Sequence, residues 1–294
     1  MFDQVVFAGG GGRCTWQIGF WETVAEKIQL RPRVVSGVSA GALIAGLIMI
    51  GKAPAAVDYF ASVFKANQRN IYWRNLFRKE PVFPHYDIYR NGIRALFSER
   101  FPRLRSAAEL RVAISRPPSW LPVSLSLAMG GAVYYSNKYL LHGLHPSAAR
   151  RLGYHQDFYR VQDCADVADF EHLILSSSCT PPFTPRLRFH GLEALDGGVV
   201  DNVPVGGIDP GKGRVLILLT RRYPGCPDWF IERRGEQLWT YIQPSKSPPI
   251  SVWDFTNPEG LRSTCEMGRH DGRLFLRNVL ADRCFYTDVG KSNV

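Results

Sequence analysis

Paired cysteines are missing from this sequence. Its six cysteines (Cys14, Cys164, Cys179, Cys226, Cys265 and Cys284) lie far apart and form no Cys-x-x-Cys pair. That spacing excludes the common zinc motifs and a small disulfide framework, and it fits buried thiols in a reducing compartment. Acidic residues are also scarce: 26 Asp and Glu stand against 36 Lys and Arg, a formal net charge of +10. Such a balance points to an anionic lipid surface, an acidic substrate or nucleic acid, or else to a basic surface with no partner at all. Long apolar runs are absent. The longest, Ala42 to Ile50, is too short to span a bilayer. The N-terminus runs almost directly into Val5-Val6-Phe7-Ala8, without a basic leader or a cleavage site. We therefore expect a cytoplasmic protein whose membrane contact, if any, is peripheral. Repeats, low-complexity tracts and an obvious linker are missing too, so the expectation is one domain over residues 1–294.

What is present begins with Val34-Val35-Ser36-Gly37-Val38-Ser39-Ala40-Gly41, which runs straight into the apolar Ala42–Ile50 segment. A β-branched pair, a Gly-x-Ser-x-Gly turn and an Ala/Leu-rich stretch read as strand, sharp turn and buried helix, with Ser39 at the apex. Gly37 and Gly41 remove the β-carbons that would block so tight a reversal. Ala40 and Ala42 keep the turn narrow. The helix start then aims free N–H groups and its positive dipole end at Ser39. Alone, the motif is equally well a small-residue turn before a core helix.

Upstream, Val5–Ala8 reads as a buried strand, followed by Gly9-Gly10-Gly11-Gly12-Arg13-Cys14 and a helix over Trp16–Ala25. Consecutive glycines let a backbone turn its N–H groups inward, as an anion cradle or oxyanion hole requires. A dinucleotide fold also opens with strand, glycine loop and helix. That reading fails here, because Cys14 stands where the third glycine belongs and the second strand ends in Ser36-Gly37-Val38-Ser39 with no acid.

Residues 52–105 read as mostly helical, with breaks near Pro54, Pro81 and Pro84. Within them, Lys65–Lys79 carries five basic residues and no acid, with Tyr72, Trp73 and Phe77 interleaved. It reads either as an exposed helix whose rings anchor in the core or as a surface that lies on an anionic membrane. Glu109–Ser115 alternates like a strand, and the aromatic stretch that follows (Trp120, Tyr134, Tyr135, Tyr139) reads as the wall of an acyl pocket or as plain core. A helix over Phe170–Leu175 leads into the Ser176–Phe183 loop. Then comes Leu192–Asp196 with Gly197-Gly198, where a carboxylate at a strand end is open to close approach or simply caps its own turn. Val215–Thr220 reads as a strand buried on both faces, and the remainder as loops with a helix near 259–280.

These stretches together resemble the patatin-like phospholipase family of lipid acyl hydrolases. The resemblance rests on Gly9–Arg13, Gly37-Val38-Ser39-Ala40-Gly41 and Asp196-Gly197-Gly198 in that order, joined by Ser176–Phe183, Asn202-Val203-Pro204-Val205 and Gly268-Arg269-His270-Asp271. It covers about residues 4–52 and 170–280, with a variable region at 53–169. One departure is Cys14, where the family's loop closes with glycine. The resemblance implies a three-layer α/β/α sandwich around a mostly parallel sheet, with a nucleophile elbow between strand and helix. It implies Ser39 as nucleophile and Asp196 as its base in a two-residue dyad. The oxyanion hole would come from the N–H groups of Gly10, Gly11 and Gly12 with Ala40. No metal or organic cofactor is implied, and the partners are a lipid ester and a membrane surface, not nucleic acid. Two other readings stand beside this one. Ser39, Asp196 and His270 also follow the chain order of a three-residue hydrolase, and a silent lipid-binding scaffold would keep the same fold.

Overall fold

The computed structural model describes residues 2–77, 82–122, 125, 129 and 143–281. Arg78, Lys79, Pro81, Tyr134, Tyr135, Tyr139 and Cys284, which entered the sequence reading, lie outside these residues.

β1 (Gln4–Phe7) is buried along its whole length, as a Val/Phe strand covered on both faces must be. After the glycine loop comes α1 (Thr15–Val24), and β2 (Val34–Val38) returns parallel to β1, with Val5 opposite Val35 and Phe7 opposite Gly37. α2 (Ala40–Met49) follows β2 so closely that Ser39 is the whole connection. Pro54 and Pro84 sit at the starts of α3 (Ala53–Ala66) and α4 (His85–Phe97), where a missing N–H costs nothing. The short α5 (Phe101–Arg105) precedes β3 (Glu109–Arg116). Then come β4 (His155–Arg160), α6 (Val167–Ser177), β5 (Leu187–Phe189) and β6 (Leu192–Asp196). β7 (Gly213–Leu218) lies where a buried strand was expected. β8 (Trp229–Arg234) and β9 (Gln237–Ile242) form a hairpin in a stretch that reads as loop, because Glu232, Arg233 and Arg234 break the apolar pattern. α7 (Pro258–Ala281) closes the described chain.

The sheet runs β5-β6-β3-β2-β1-β7-β9-β8, with β4 also on β3. The centre, β3-β2-β1-β7-β9, is parallel, and the outer pairings are antiparallel. This is a mixed α/β fold with a central, mostly parallel sheet flanked by helices. One detail positions the site. β4 occupies one edge of β3 from Arg111 to Arg116. On the other edge β2 pairs up to Ala113, opposite Val38, and β6 takes over at Ile114, opposite Asp196. The ends of β2 and β6 therefore meet beside two consecutive residues of β3.

Phe7, Val35, Leu216 and Leu218 join the buried side chains of α1 to α7 in one core. Val6, Val215 and Ile217 face the other side, where Val203, Ile208 and Tyr223 cover them. α1 and α7 touch through glycines: a β-carbon on Gly19 would overlap the Cys265 carbonyl, and one on Gly268 the Trp16 carbonyl. The indole of Trp16 donates to Asp271 at 2.8 Å. Gly268 and Asp271 thus serve helix packing.

The basic aromatic segment departs from the helix reading. α3 ends at Ala66, and only one tight helical turn, Trp73–Phe77, follows. Trp73 is 66% exposed and Phe77 88% exposed, so neither ring anchors in the core.

Candidate active site

Ser39 sits at φ 52° and ψ −131°, a region that residues with a β-carbon rarely adopt. Its neighbours make that conformation affordable. A β-carbon on Gly37 would come within 2.7 Å of Ala42 Cα, and one on Gly41 would overlap the Ala8 carbonyl oxygen. The Ser39 N–H donates to Ser177 Oγ at 2.8 Å, and Ser177 Oγ donates to the Ala113 carbonyl at 2.7 Å. The Ser39 carbonyl accepts from Ala42 (3.0 Å) and Leu43 (3.3 Å), which starts α2 directly beneath the side chain.

Asp196 ends β6 and reaches Ser39 because of the shared edge of β3. Gly197 lets it come in: a β-carbon there would meet the Ala113 carbonyl and Val38 Cγ2, each at 2.5 Å. The Asp196 carboxylate accepts from the Gly198 N–H at 2.7 Å and lines the same cavity as Ser39, whose side chain favours its ionised form. The aspartate caps its own turn, and the same position brings its carboxylate into the cavity that Ser39 lines. Burial pushes its pKa up to about 6, against the pull of the Gly198 hydrogen bond and the Ser39 side chain.

The glycine loop is clamped from below. The Gly9 N–H donates to the Asn202 carbonyl (3.0 Å), Asn202 Nδ2 returns a bond to the Gly9 carbonyl (2.9 Å), and the Thr220 hydroxyl also donates there. Gly11 has φ +57°, and a β-carbon on it would overlap the Val252 carbonyl. Arg13 donates through its N–H to Gly10 (3.2 Å) and through Nε to the Ile250 carbonyl (3.3 Å). Gly10 and Gly11 line the same cavity as Ser39 and Asp196. Gly12 packs instead against Ile250, and Ala40 is buried at the head of α2. Cys14 has ordinary right-handed helical backbone, so its β-carbon fits the start of α1 without strain, and its thiol is buried.

The cavity measures about 600 Å³ including its mouth. Its walls come from α4 (His85, Tyr86, Tyr89) and from Val252, Trp253 and Phe255 in the loop before α7. Burial holds the His85 imidazole neutral, with its pKa lowered to about 4 against a smaller opposing effect of the Trp253 backbone. Sequence reasoning missed these wall residues, because nothing in their spacing marks them. It also missed the anchoring role of Ser177, although the Ser-Ser-Ser run was visible. The loop 67–72 is tied to the same wall: Asn67 Nδ2 donates to the Phe255 carbonyl (2.9 Å), and the Phe255 N–H donates to Asn70 Oδ1 (2.7 Å).

His270 is exposed on α7 and does not line the cavity, so the structure does not assemble Ser39, Asp196 and His270 as a triad. Helix packing against α1 placed it on the outer face. Among the described residues no cluster of His, Cys, Asp or Glu could hold a metal ion, and no helix is long and apolar enough to cross a membrane.

The family model described as Patatin-like phospholipase matches residues 5–208. That span contains the glycine loop, the Ser39 turn and Asp196 to Asn202, but not Val252 to Phe255. No curated protein matches the chain. Among solved structures, the crystal structure of VipD from Legionella pneumophila aligns over 94% of this chain and 67% of its own, at 11% identity and a TM-score of 0.44.

Proposed function

The chain belongs to the patatin-like phospholipase family of lipid acyl hydrolases, and on that premise we propose that it cleaves carboxylic esters of lipids, phospholipids among them, with Ser39 as nucleophile and Asp196 as base. The observation that carries this reading is the meeting of Ser39, on its strained turn, and the desolvated Asp196 carboxylate in one cavity beside a clamped glycine loop.

A serine hydroxyl is a weak nucleophile until a base takes its proton. Ser39 Oγ attacks the ester carbonyl carbon while its proton passes to Asp196, and the carbonyl π electrons move onto oxygen. The resulting oxyanion is met by N–H groups of the glycine loop, Gly10 and Gly11 first because they line the cavity. Each such donor is typically worth about 3 kcal/mol of barrier. Collapse breaks the bond to the leaving oxygen, which takes the proton back from Asp196. Water then attacks the acyl-serine, with Asp196 accepting its proton, and collapse breaks the bond to Ser39 Oγ, which takes that proton back as the fatty acid leaves. Partial desolvation makes the carboxylate a better base than an exposed one.

The same reading gives the exposed segment a task. Lys65, Arg69 and Arg74 meet anionic headgroups while Trp73 and Phe77 enter the interface. Its hydrogen bonds to Asp254 and Phe255, beside the cavity wall, support this reading.

Vesicles of zwitterionic and anionic phospholipid, incubated with wild type, Ser39→Ala and Asp196→Asn, test the proposal by fatty acid release. Release by wild type alone supports it. Equal release from all three proteins rules out Ser39 as the nucleophile.

A further inference from the structure

His85 is the first residue of α4 and is only 5% exposed, yet it lines the cavity that contains Ser39 and Asp196. The one polar neighbour of its ring that raises its pKa is the Trp253 backbone, and neither ring nitrogen makes a well-formed hydrogen bond to it or to any other group of the protein. Buried polar groups are nearly always satisfied, so each exception calls for an explanation. The imidazole is held by rings, edge-on to Phe255 (centroids 4.3 Å apart) and to Trp253 (5.3 Å), with Phe83 and Phe183 further out. Such packing leaves it little freedom to turn toward another partner in the protein.

His85 is not isolated. Ser178 Oγ, Thr180 Oγ1 and Trp253 Nε1 line the same cavity and are likewise buried without a partner. Four residues of the lining thus carry buried donors or acceptors without a partner, beside Tyr86, Tyr89, Leu175, Val252 and Phe255 and the polar Thr184 and Asn202. The lining contains no lysine or arginine, and its only carboxylate is Asp196. A phosphate has no counter-charge here. A bare hydrocarbon chain would leave every one of these groups unpaired, which is costly. A neutral imidazole offers one donor and one acceptor, two hydroxyls offer both, and an indole N–H donates. The group that complements this set is an uncharged hydroxyl. Because burial keeps the imidazole neutral above about pH 4, the match holds across the physiological range.

We propose that His85, with Ser178, Thr180 and Trp253, forms an uncharged polar subsite that receives a hydroxyl of the substrate, so that the enzyme selects hydroxyl-bearing lipid esters. The hydroxyl has two possible sources, the glycerol of a monoacylated lipid or a hydroxylated acyl chain. The substrate assignment rests on Ser39 acting as proposed above; the subsite is tested independently by binding.

The test measures Kd for two matched pairs of non-hydrolysable ligands on the full chain. One pair is a short monoalkyl glycerol ether and its O-methylated analogue. The other is a hydroxylated acyl amide and its unsubstituted counterpart. Wild type should bind the hydroxyl member of one pair about tenfold more tightly, the factor of a well-made hydrogen bond, and that pair identifies the source. His85→Phe, which keeps the aromatic packing, should reduce the ratio to about one. His85→Asn, which keeps one donor and one acceptor, should retain most of it. Thr180→Val provides a second variant should His85→Phe fail to fold, and it should lower the ratio as well. Equal binding within both pairs by wild type, or an undiminished ratio in the folded His85→Phe or Thr180→Val protein, overturns the subsite. Turnover of p-nitrophenyl butyrate by wild type and Ser39→Ala, run in parallel, reports on the nucleophile alone, so a failure there is distinguishable from a failure here.

Discussion

Ser177 holds Ser39 by the backbone and not by the side chain. Its hydroxyl accepts the Ser39 N–H at 2.8 Å and passes its own proton to the Ala113 carbonyl at 2.7 Å. The strained turn at the end of β2 is thereby tied to β3 and to the last turn of α6, and the Ser39 hydroxyl stays available to Asp196.

Ser177→Ala removes both bonds and leaves the Ser39 N–H without its acceptor. We expect a stability loss of about 1–2 kcal/mol and a fall of about tenfold in kcat/KM, because Ser39 loses its fixed orientation. Thermal melts and kinetics on a soluble ester read the two effects. The expected stability loss with unchanged kinetics would show that Ser177 supports the fold only.

The pH profile follows from the Asp196 environment. On the proposed mechanism only the ionised carboxylate can accept the Ser39 proton, and burial raises its pKa to about 6. The kcat/KM on a soluble ester should therefore climb from acid toward a plateau, with a midpoint near that value. An acid limb centred at the ordinary carboxylate value would contradict the desolvated base.

The same shift costs stability. The unfolded carboxyl ionises near 3.8 and the folded one near 6, so folding is penalised progressively between those values and fully above them. Asp196→Asn should then be more stable than wild type at pH 8, by something on the order of 1–3 kcal/mol, with the gap closing below pH ~4. Urea melts at both pH values measure it. An asparagine variant that is less stable at pH 8 would mean that lost hydrogen bonds outweigh the relieved ionisation.

Gly41 and Gly51 make a controlled pair. At Gly41 a β-carbon would overlap the backbone oxygen of Ala8, while at Gly51, with φ +69°, it would meet open space. Gly51→Ala should cost only the left-handed backbone penalty of about 1–2 kcal/mol. Gly41→Ala forces the Ser39 turn away from β1 and should cost more than about 3 kcal/mol or prevent folding. Similar melting temperatures for the two variants would refute the close approach.

Trp73→Ser with Phe77→Ser removes the two exposed rings of the basic segment. Activity on anionic vesicles, divided by activity on a soluble ester, should fall by about tenfold, with a matching loss in vesicle sedimentation. An unchanged ratio would assign membrane contact to another surface.

The sequence by itself determined the parts that depend on neighbours along the chain. The strand, Gly-x-Ser-x-Gly turn and helix around Ser39 follow from steric demands within eight residues or so, and the glycine loop and the Asp196-Gly197-Gly198 turn are equally local. Its helix reading of the basic segment fails over 67–77, because the exposed rings of Trp73 and Phe77 have no partner in the core, so burial never favoured the helical face. Only the tertiary structure decided how these pieces meet. β6 takes up the edge of β3 where β2 ends, which puts Asp196 beside Ser39 although 157 positions (196 − 39) separate them. It also carried His85 and Trp253, 168 positions (253 − 85) apart in sequence, to one cavity, and turned His270 outward on α7. Sheet pairing and core packing act between residues distant in sequence, and such contacts leave no periodicity or spacing from which they could be read.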